Sequence, residues 1–380
     1  VQLIIASDLV PRKSNEHLFN EGDINTLLGK DLSNYWFSAD FRIFNLEVPL
    51  TDTESPISKC GPNLVAPTST VKGIKGLKPS VVTLANNHIL DQGINGLEST
   101  EELLISNGIP FVGTGRNTNL ASKPYILEKN NLKIGIYACT ENEFTVATSN
   151  SAGANPFDPL ESLDHILELK SRCDYVVVLY HGGKEHYRYP SPYLQKVCRK
   201  MTEKGADLVI CQHSHCIGCY ENYGNSKIIY GQGNFIFDKS KNEMWNTSVL
   251  VNVRLEDTLE VEYIPIIKKD NLVRLAKGTD GNEILDKLHK RSKEITNSSF
   301  IEMRYQEFAN EKLEGYIRTF AGFNKWVSRI DRRLLNNFLL NRLFNTDKFL
   351  AMQNFIECEA HRELVLKGIK GVTERGRKNI

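Results

Sequence analysis

Ser80-Val-Val-Thr-Leu-Ala-Asn-Asn-His-Ile-Leu-Asp-Gln-Gly93 begins as a short apolar run rich in β-branched side chains, then turns abruptly to amides, an imidazole and a carboxylate. The helix-period segment 93–107 follows it, so a buried strand passes through a polar strand end into a helix. The same passage recurs along the chain. Residues 1–8, 41–47, 133–141, 174–181 and 207–213 each read as a buried strand, and 159–172 and 192–204 have helical spacing. Asp158-Pro159 and Ser191-Pro192 each place a capping residue ahead of a proline suited to a first helical turn. Strand and helix in alternation predict an α/β architecture with both sheet faces covered.

Beyond His215 the pattern changes. Segments 227–230, 247–255 and 258–267 read as strands joined by tight turns, with Glu256-Asp257 as a hairpin connection, and are expected to form a second, antiparallel layer. From about residue 271 the apolar spacing becomes helical, in 284–295, 300–320 and 334–343. Basic side chains there outnumber acidic ones, 19 against 13 over 281–380. The expected organisation is a main domain over 1–270 and a helical C-terminal extension over 271–380.

Composition narrows the function classes. The 380 residues hold 47 basic and 46 acidic side chains, a net charge of +1, which excludes a nucleic-acid or membrane binder acting through bulk charge. No stretch reaches the ~18–20 apolar residues of a spanning helix. Val1 opens directly in an apolar run with no basic segment before it, so no signal peptide is expected. Eight cysteines are scattered through the chain, the pattern of reduced thiols in a cytoplasmic protein. Cys216 and Cys219 have C-x-x-C spacing but lack the context of a zinc or redox motif, and are read as free thiols.

The polar residues at the strand ends carry the functional signal. Asp8 ends the first strand, Asn45 and Glu47 the second, and Asn87 and His88 follow the third; His181, His213 and His215 end later ones. Ligands of open α/β sheets gather beyond the carboxyl ends of the strands. Singly, Asp8 or Glu47 reads as a turn residue, Asn87-His88 as a hydrogen-bonded turn and His181 as a core histidine. Jointly they supply carboxylate, amide and imidazole ligands, a set suited to zinc, manganese or iron and not to calcium.

Asp8, Asn45-Leu46-Glu47, the run Ala85-Asn86-Asn87-His88-Ile89-Leu90-Asp91-Gln92-Gly93, His181-Gly182-Gly183-Lys184-Glu185, His213-Ser214-His215 and Gly233-Asn234-Phe235 stand in the order of CapA-type chains. Over about residues 1–267 the chain resembles the CapA (PgsA) poly-gamma-glutamate capsule biosynthesis family, which is similar to calcineurin-like metallophosphoesterases. That resemblance implies a four-layer, metallophosphatase-like α/β/β/α sandwich with two divalent ions. Glu47 would bridge them, Asp8 and His215 would complete one site, and Asn87, His181 and His213 the other. His88 would act as general acid or oxyanion stabiliser, oriented by Asp91, with Asn45, Glu141, Glu185 and Asn234 as substrate contacts. Two departures stand out: Asp8-Leu9-Val10 replaces the superfamily's Asp-x-His, and Ser214 replaces a proline.

The expected function is a capsule or polymer biosynthesis protein that hydrolyses an anionic phosphoester with two metal ions. Two alternatives stand beside it: a non-catalytic accessory or scaffold component working with capsule-assembly partner proteins, and a metal-dependent amide hydrolase of polyglutamate. In the extension, Phe300, Met303, Phe308 and Tyr316 are expected to pack. Arg329, Arg332 and Arg333 beside Trp326 are expected to form a solvated helix face, with an anionic membrane or polymer contact as the other reading.

Overall fold

The computed structural model describes residues 1–238, 240–269 and 271–378. They form two compact units, Val1–Glu302 and the segment from Met303 onward.

The first unit is built on two sheets. The seven-stranded sheet runs in the order Leu272–Leu275, Leu259–Lys269, Thr247–Leu255, Gln2–Leu9, Phe41–Leu46, Val81–Thr83, Phe111–Val112. Its last four strands are parallel and the others antiparallel. The six-stranded sheet runs Tyr220–Tyr223, Ser226–Ile229, Leu208–Gln212, Tyr175–His181, Leu132–Thr140, Tyr125–Lys129.

Alternating side chains assign the layers, because successive strand residues point to opposite faces. Leu3, Ile5 and Ile43 of the first sheet meet Ile134, Ile136, Val177 and Ile210 of the second in one apolar cluster. On the outer face of the first sheet, Ile4, Phe44 and Val82 pack with Leu28 and Trp36 of helix Ile24–Ser38 and Leu97 of helix Gly93–Ser106. On the outer face of the second, Val176 and Val209 pack with Ile166 of helix Ser162–Lys170 and Met201 of helix Pro192–Glu203. The result is the expected four-layer α/β/β/α sandwich. Strands covered on both faces are apolar throughout, which leaves their polar terminal residues conspicuous.

Ser191 caps its helix as expected, its hydroxyl accepting from Leu194 N at 3.0 Å with Pro192 in the first turn. Ser191→Ala should therefore lower stability by about 1 kcal/mol, measurable by urea unfolding. Asp158 does not start a helix. Its carboxylate accepts from Leu160 N in a turn, and the helix opens at Ser162.

The expected separate antiparallel layer is also corrected. Thr247–Leu255 and Leu259–Lys269 extend the first sheet beside Gln2–Leu9, while Ser226–Ile229 lies parallel to Leu208–Gln212 in the second. Thr247–Leu255 is buried on both faces along nearly its whole length, which suits a strand inside the sandwich. Helix Ile24–Ser38 escapes the sequence pattern because Gly29, at φ 69°, breaks its backbone.

Helix Gly278–Glu294 belongs to the first unit. Ile284 and Leu288 bury against Ile217 and Val249, and Arg291 Nε donates to Gly218 O at 2.7 Å. The first compact unit accordingly continues to Glu302; residue 270 itself lies outside the described residues. The second unit is helical, with helices Lys325–Leu334, Phe338–Leu343, Thr346–Glu357 and Glu359–Lys378 following the end of Ser298–Phe320. Arg318 ties it together through Asp331 at 3.0 Å and Asn337 at 2.7 Å. Among the described residues no helix is long and apolar enough to cross a membrane.

Candidate metal centre

Parallel strands of both sheets end at one rim, and the backbone there aims the polar side chains inward. A register shift between Ile5 and Asp8 sets Asp8 opposite Asn45. Glu47 follows directly, held by its own N–H to Leu9 O at 3.1 Å. The Asn86–Gln92 turn is fastened to the second strand by Asn86 Nδ2, which donates to Leu46 O at 2.8 Å, while Asn86 Oδ1 accepts from His88 N. His213 and His215 both adopt left-handed backbone, φ 82° and 52°. Two non-glycine residues held there by their surroundings are the kind of local strain that collects at functional sites.

These segments bring all six expected metal ligands together, buried. Ligand atoms of Asp8, Glu47 and His215 lie within 4.8 Å of one another, as do those of Glu47, His181 and His213, with Glu47 common to both groups. His181 Nε2 is 3.2 Å from Glu47 Oε1, 3.0 Å from Asn87 Oδ1 and 3.1 Å from His213 Nδ1. His215 Nδ1 is 3.7 Å from Asp8 Oδ2.

The electrostatics fit a cation. Glu47 is completely buried, and neither of its oxygens has a hydrogen-bond partner among the described residues. Burial, and then the charge of Asp8, pushes its carboxyl up to about 8. Burial lowers His213 well below the usual imidazole range, with His181 and His215 adding to the effect, and burial also lowers His181. Neutral imidazoles are the ligating form. An orphaned buried carboxylate among them is the donor set that a divalent ion would satisfy.

The neighbouring groups hold these ligands in place. Asn45, expected to touch substrate, is fully buried; its Nδ2 donates to Asp8 Oδ1 at 2.8 Å and its Oδ1 accepts from Asn86 Nδ2. Asn234 Oδ1 accepts from His215 Nδ1 at 2.8 Å, which leaves Nε2 of that ring for a ligand. Trp36 stacks on Phe235 at 5.1 Å and so packs down the turn that carries Asn234. Glu141 accepts from Gly183 N at 3.0 Å, and burial raises its carboxyl. Glu185 stands at the margin, 4.0 Å from His213 Nε2 and 43% exposed.

His88 and Asp91 form a separate pair beside the cluster, with Nδ1 and Oδ2 2.6 Å apart. The third member, Lys59, carries no signal in the local sequence pattern. Its ammonium pairs closely with Asp91 Oδ1, lies 3.2 Å from His88 Nδ1 and donates to Asn87 O at 3.3 Å, with 3% of the side chain exposed. Trp245 was equally hidden. It stacks on His215 at 4.7 Å and donates to His186 Nε2 at 3.0 Å. Val10, two residues after Asp8, is fully buried in the apolar cluster under the outer helices.

A model of the family described as bacterial capsule synthesis protein PGA_cap matches residues 2–239. The chain is 29% identical over 215 residues to the PGA biosynthesis protein CapA of Bacillus subtilis (strain 168), which covers 53% of this chain and 57% of that one. It is 27% identical over 273 residues to the capsule biosynthesis protein CapA of Bacillus anthracis, covering 69% and 66%. It thus spans somewhat over half the length of these relatives. A phosphatase structure from Mycoplasma pneumoniae is similar at TM-score 0.44 and 16% identity, over 71% of this chain and 94% of that one. With the family match covering well over half of its residues, the chain belongs to the bacterial capsule synthesis protein PGA_cap family.

Proposed function

We propose that this chain is a metal-dependent hydrolase acting on an anionic phosphoester. One observation carries the reading: Glu47 belongs to both candidate ligand groups while its buried oxygens accept no hydrogen bond among the described residues. Asp8, Glu47 and His215 would hold one divalent ion, and Glu47, Asn87, His181 and His213 the other. Ions held there would supply Lewis acidity to a phosphoryl oxygen.

The chain's own residues supply the rest. Asp8 and Glu47 are the only carboxylates among the six ligands, too few to neutralise two divalent ions, so the centre favours an anionic group. His88 donates Nδ1–H to Asp91, which directs its Nε2 to exchange a proton with the leaving oxygen. Lys59 and Asp91 fix the ring without touching substrate. Trp245 covers one face of the His215 ring.

The test is turnover of nitrophenyl phosphomonoesters and phosphodiesters by protein loaded with manganese or zinc. The wild type should exceed the His213→Ala variant by about 100-fold or more. Equal rates for the two proteins would remove the reading. A second reading, an accessory component that binds an anionic polymer without turning it over, is favoured by the apolar burial of Val10 at a ligand position. Metal content separates the two, because an accessory role does not require about two ions per chain.

A further inference from the structure

The second unit carries a surface that the hydrolase reading does not use. From residue 303 to 380 the sequence holds 15 basic and 9 acidic side chains, a net charge of +6. Its helix Lys325–Leu334 divides this charge with unusual order. Trp326, Ile330 and Leu334 recur every four residues and are 71%, 47% and 77% exposed. Lys325, Arg329 and Arg333 form the adjoining stripe at the same spacing. The helix's one acidic residue, Asp331, is fully buried and paired with Arg318.

We propose that this helix is an interfacial element that lies on an anionic lipid bilayer. A helix with an apolar stripe beside a basic one sinks the first to the level of the acyl boundary and sets the second against headgroup phosphates. Tryptophan favours that boundary, being apolar in body and polar at its N–H. Arg329 sits over the Trp326 ring at 6.0 Å, so guanidinium and indole present a joint face. Small-ligand sites run to about 300–1,000 Å³; the cleft here, 670 Å³, is lined by Lys325, Trp326, Arg329, Arg332 and Arg333 and offers room for phosphate groups. The apolar surface continues past the helix in Phe338 and Leu343, 56% and 50% exposed. With no helix among the described residues fit to span, the contact is one of lying on the surface. A second copy of this unit would bring like charges together, whereas an anionic bilayer complements both stripes.

The inference is independent of the metal reading, since none of these residues lies in the first unit. The full chain is floated with vesicles of phosphatidylcholine alone, and with vesicles containing about one third phosphatidylglycerol. Binding is expected to the anionic vesicles, weakening with salt, with a blue shift in tryptophan emission that Trp326→Phe abolishes. Trp36 is already fully buried and cannot supply that shift. Arg329→Gln with Arg333→Gln should weaken binding about 30-fold, each basic residue near the surface being worth about fivefold. Ile330→Ser with Leu334→Ser should abolish it while far-UV circular dichroism stays unchanged. No binding to anionic vesicles at low salt overturns the proposal. So does binding that both double variants retain, capture of soluble polyglutamate in place of vesicles, or a concentration-dependent dimer that Ile330→Ser with Leu334→Ser dissolves.

Discussion

Glu47→Gln is expected to strip the protein of both divalent ions and yet make the metal-free form more stable. The first effect follows from sharing: ligand atoms of Asp8 and His215 on one side, and of His181 and His213 on the other, have Glu47 as their common member. Removing its charge takes the only carboxylate from one group and one of two from the other. The second effect follows from desolvation. A carboxyl pushed from 4.5 to about 8 in the folded state binds its proton more tightly there than in the unfolded chain. Stability is thus unaffected by this group below about pH 4.5, falls as pH rises towards 8, and levels off above, at a cost on the order of 5 kcal/mol. Glutamine does not titrate, so the gap between variant and wild type opens over that interval. His213 and His181 act with the opposite sign. Their depressed values mean that the unfolded chain takes up protons the folded one refuses, and both proteins lose stability as pH falls below about 6.5. Urea unfolding in chelator at pH 5, 6.5 and 8, with metal content by mass spectrometry, reads both effects. Retention of two ions by the variant, or a variant less stable than wild type at pH 8, would contradict the shared-ligand arrangement.

The same physics explains what the sequence made legible. Strands sealed between two layers must be apolar on both faces, so Asp8 after Leu3-Ile-Ile-Ala6 and His181 after Tyr175-Val-Val-Val178 stand out as residues that packing alone does not require. Pairing partners are not encoded in that way. Thr247–Leu255 reads as a strand, but nothing local says that it lies beside Gln2–Leu9, far away along the chain. Roles were harder to read than positions. Asn45 and Asn234 look like amides at strand ends, and only their burial and their bonds to Asp8 and His215 show them orienting ligands. Lys59 had no signal at all, because the polar segment around it has no period and its partners are supplied by another turn.

Lys59→Met is expected to be the most destabilising substitution near the centre, by about 3–5 kcal/mol, the usual effect of leaving a buried charge without its partner. Asp91 is fully buried and is held by three groups: the Lys59 ammonium, the Leu64 N–H at 2.6 Å and the His88 ring. The Leu64 N–H and the His88 ring remain after the substitution, without the ammonium that balanced a carboxylate sealed from water. Adding Asp91→Asn removes the orphaned charge, so Lys59→Met with Asp91→Asn should recover most of the loss. That recovery distinguishes charge compensation from mere packing, since methionine fills much of the lysine's volume in both proteins. Urea midpoints at constant slope supply the measurement. A single variant within about 1 kcal/mol of wild type, or a double variant no better than the single, would refute the compensation. The consequence reaches the metal ligands, because Lys59 also donates to the carbonyl of Asn87, whose side-chain oxygen lies 3.0 Å from His181 Nε2. Through that one ammonium, the segment carrying Lys59 is bonded both to the His88–Asp91 pair and to the backbone of a candidate ligand, so the single variant should lose metal affinity along with stability. The double variant, with its stability largely restored, should still bind metal more weakly than wild type, because the bond to Asn87 O is missing in both.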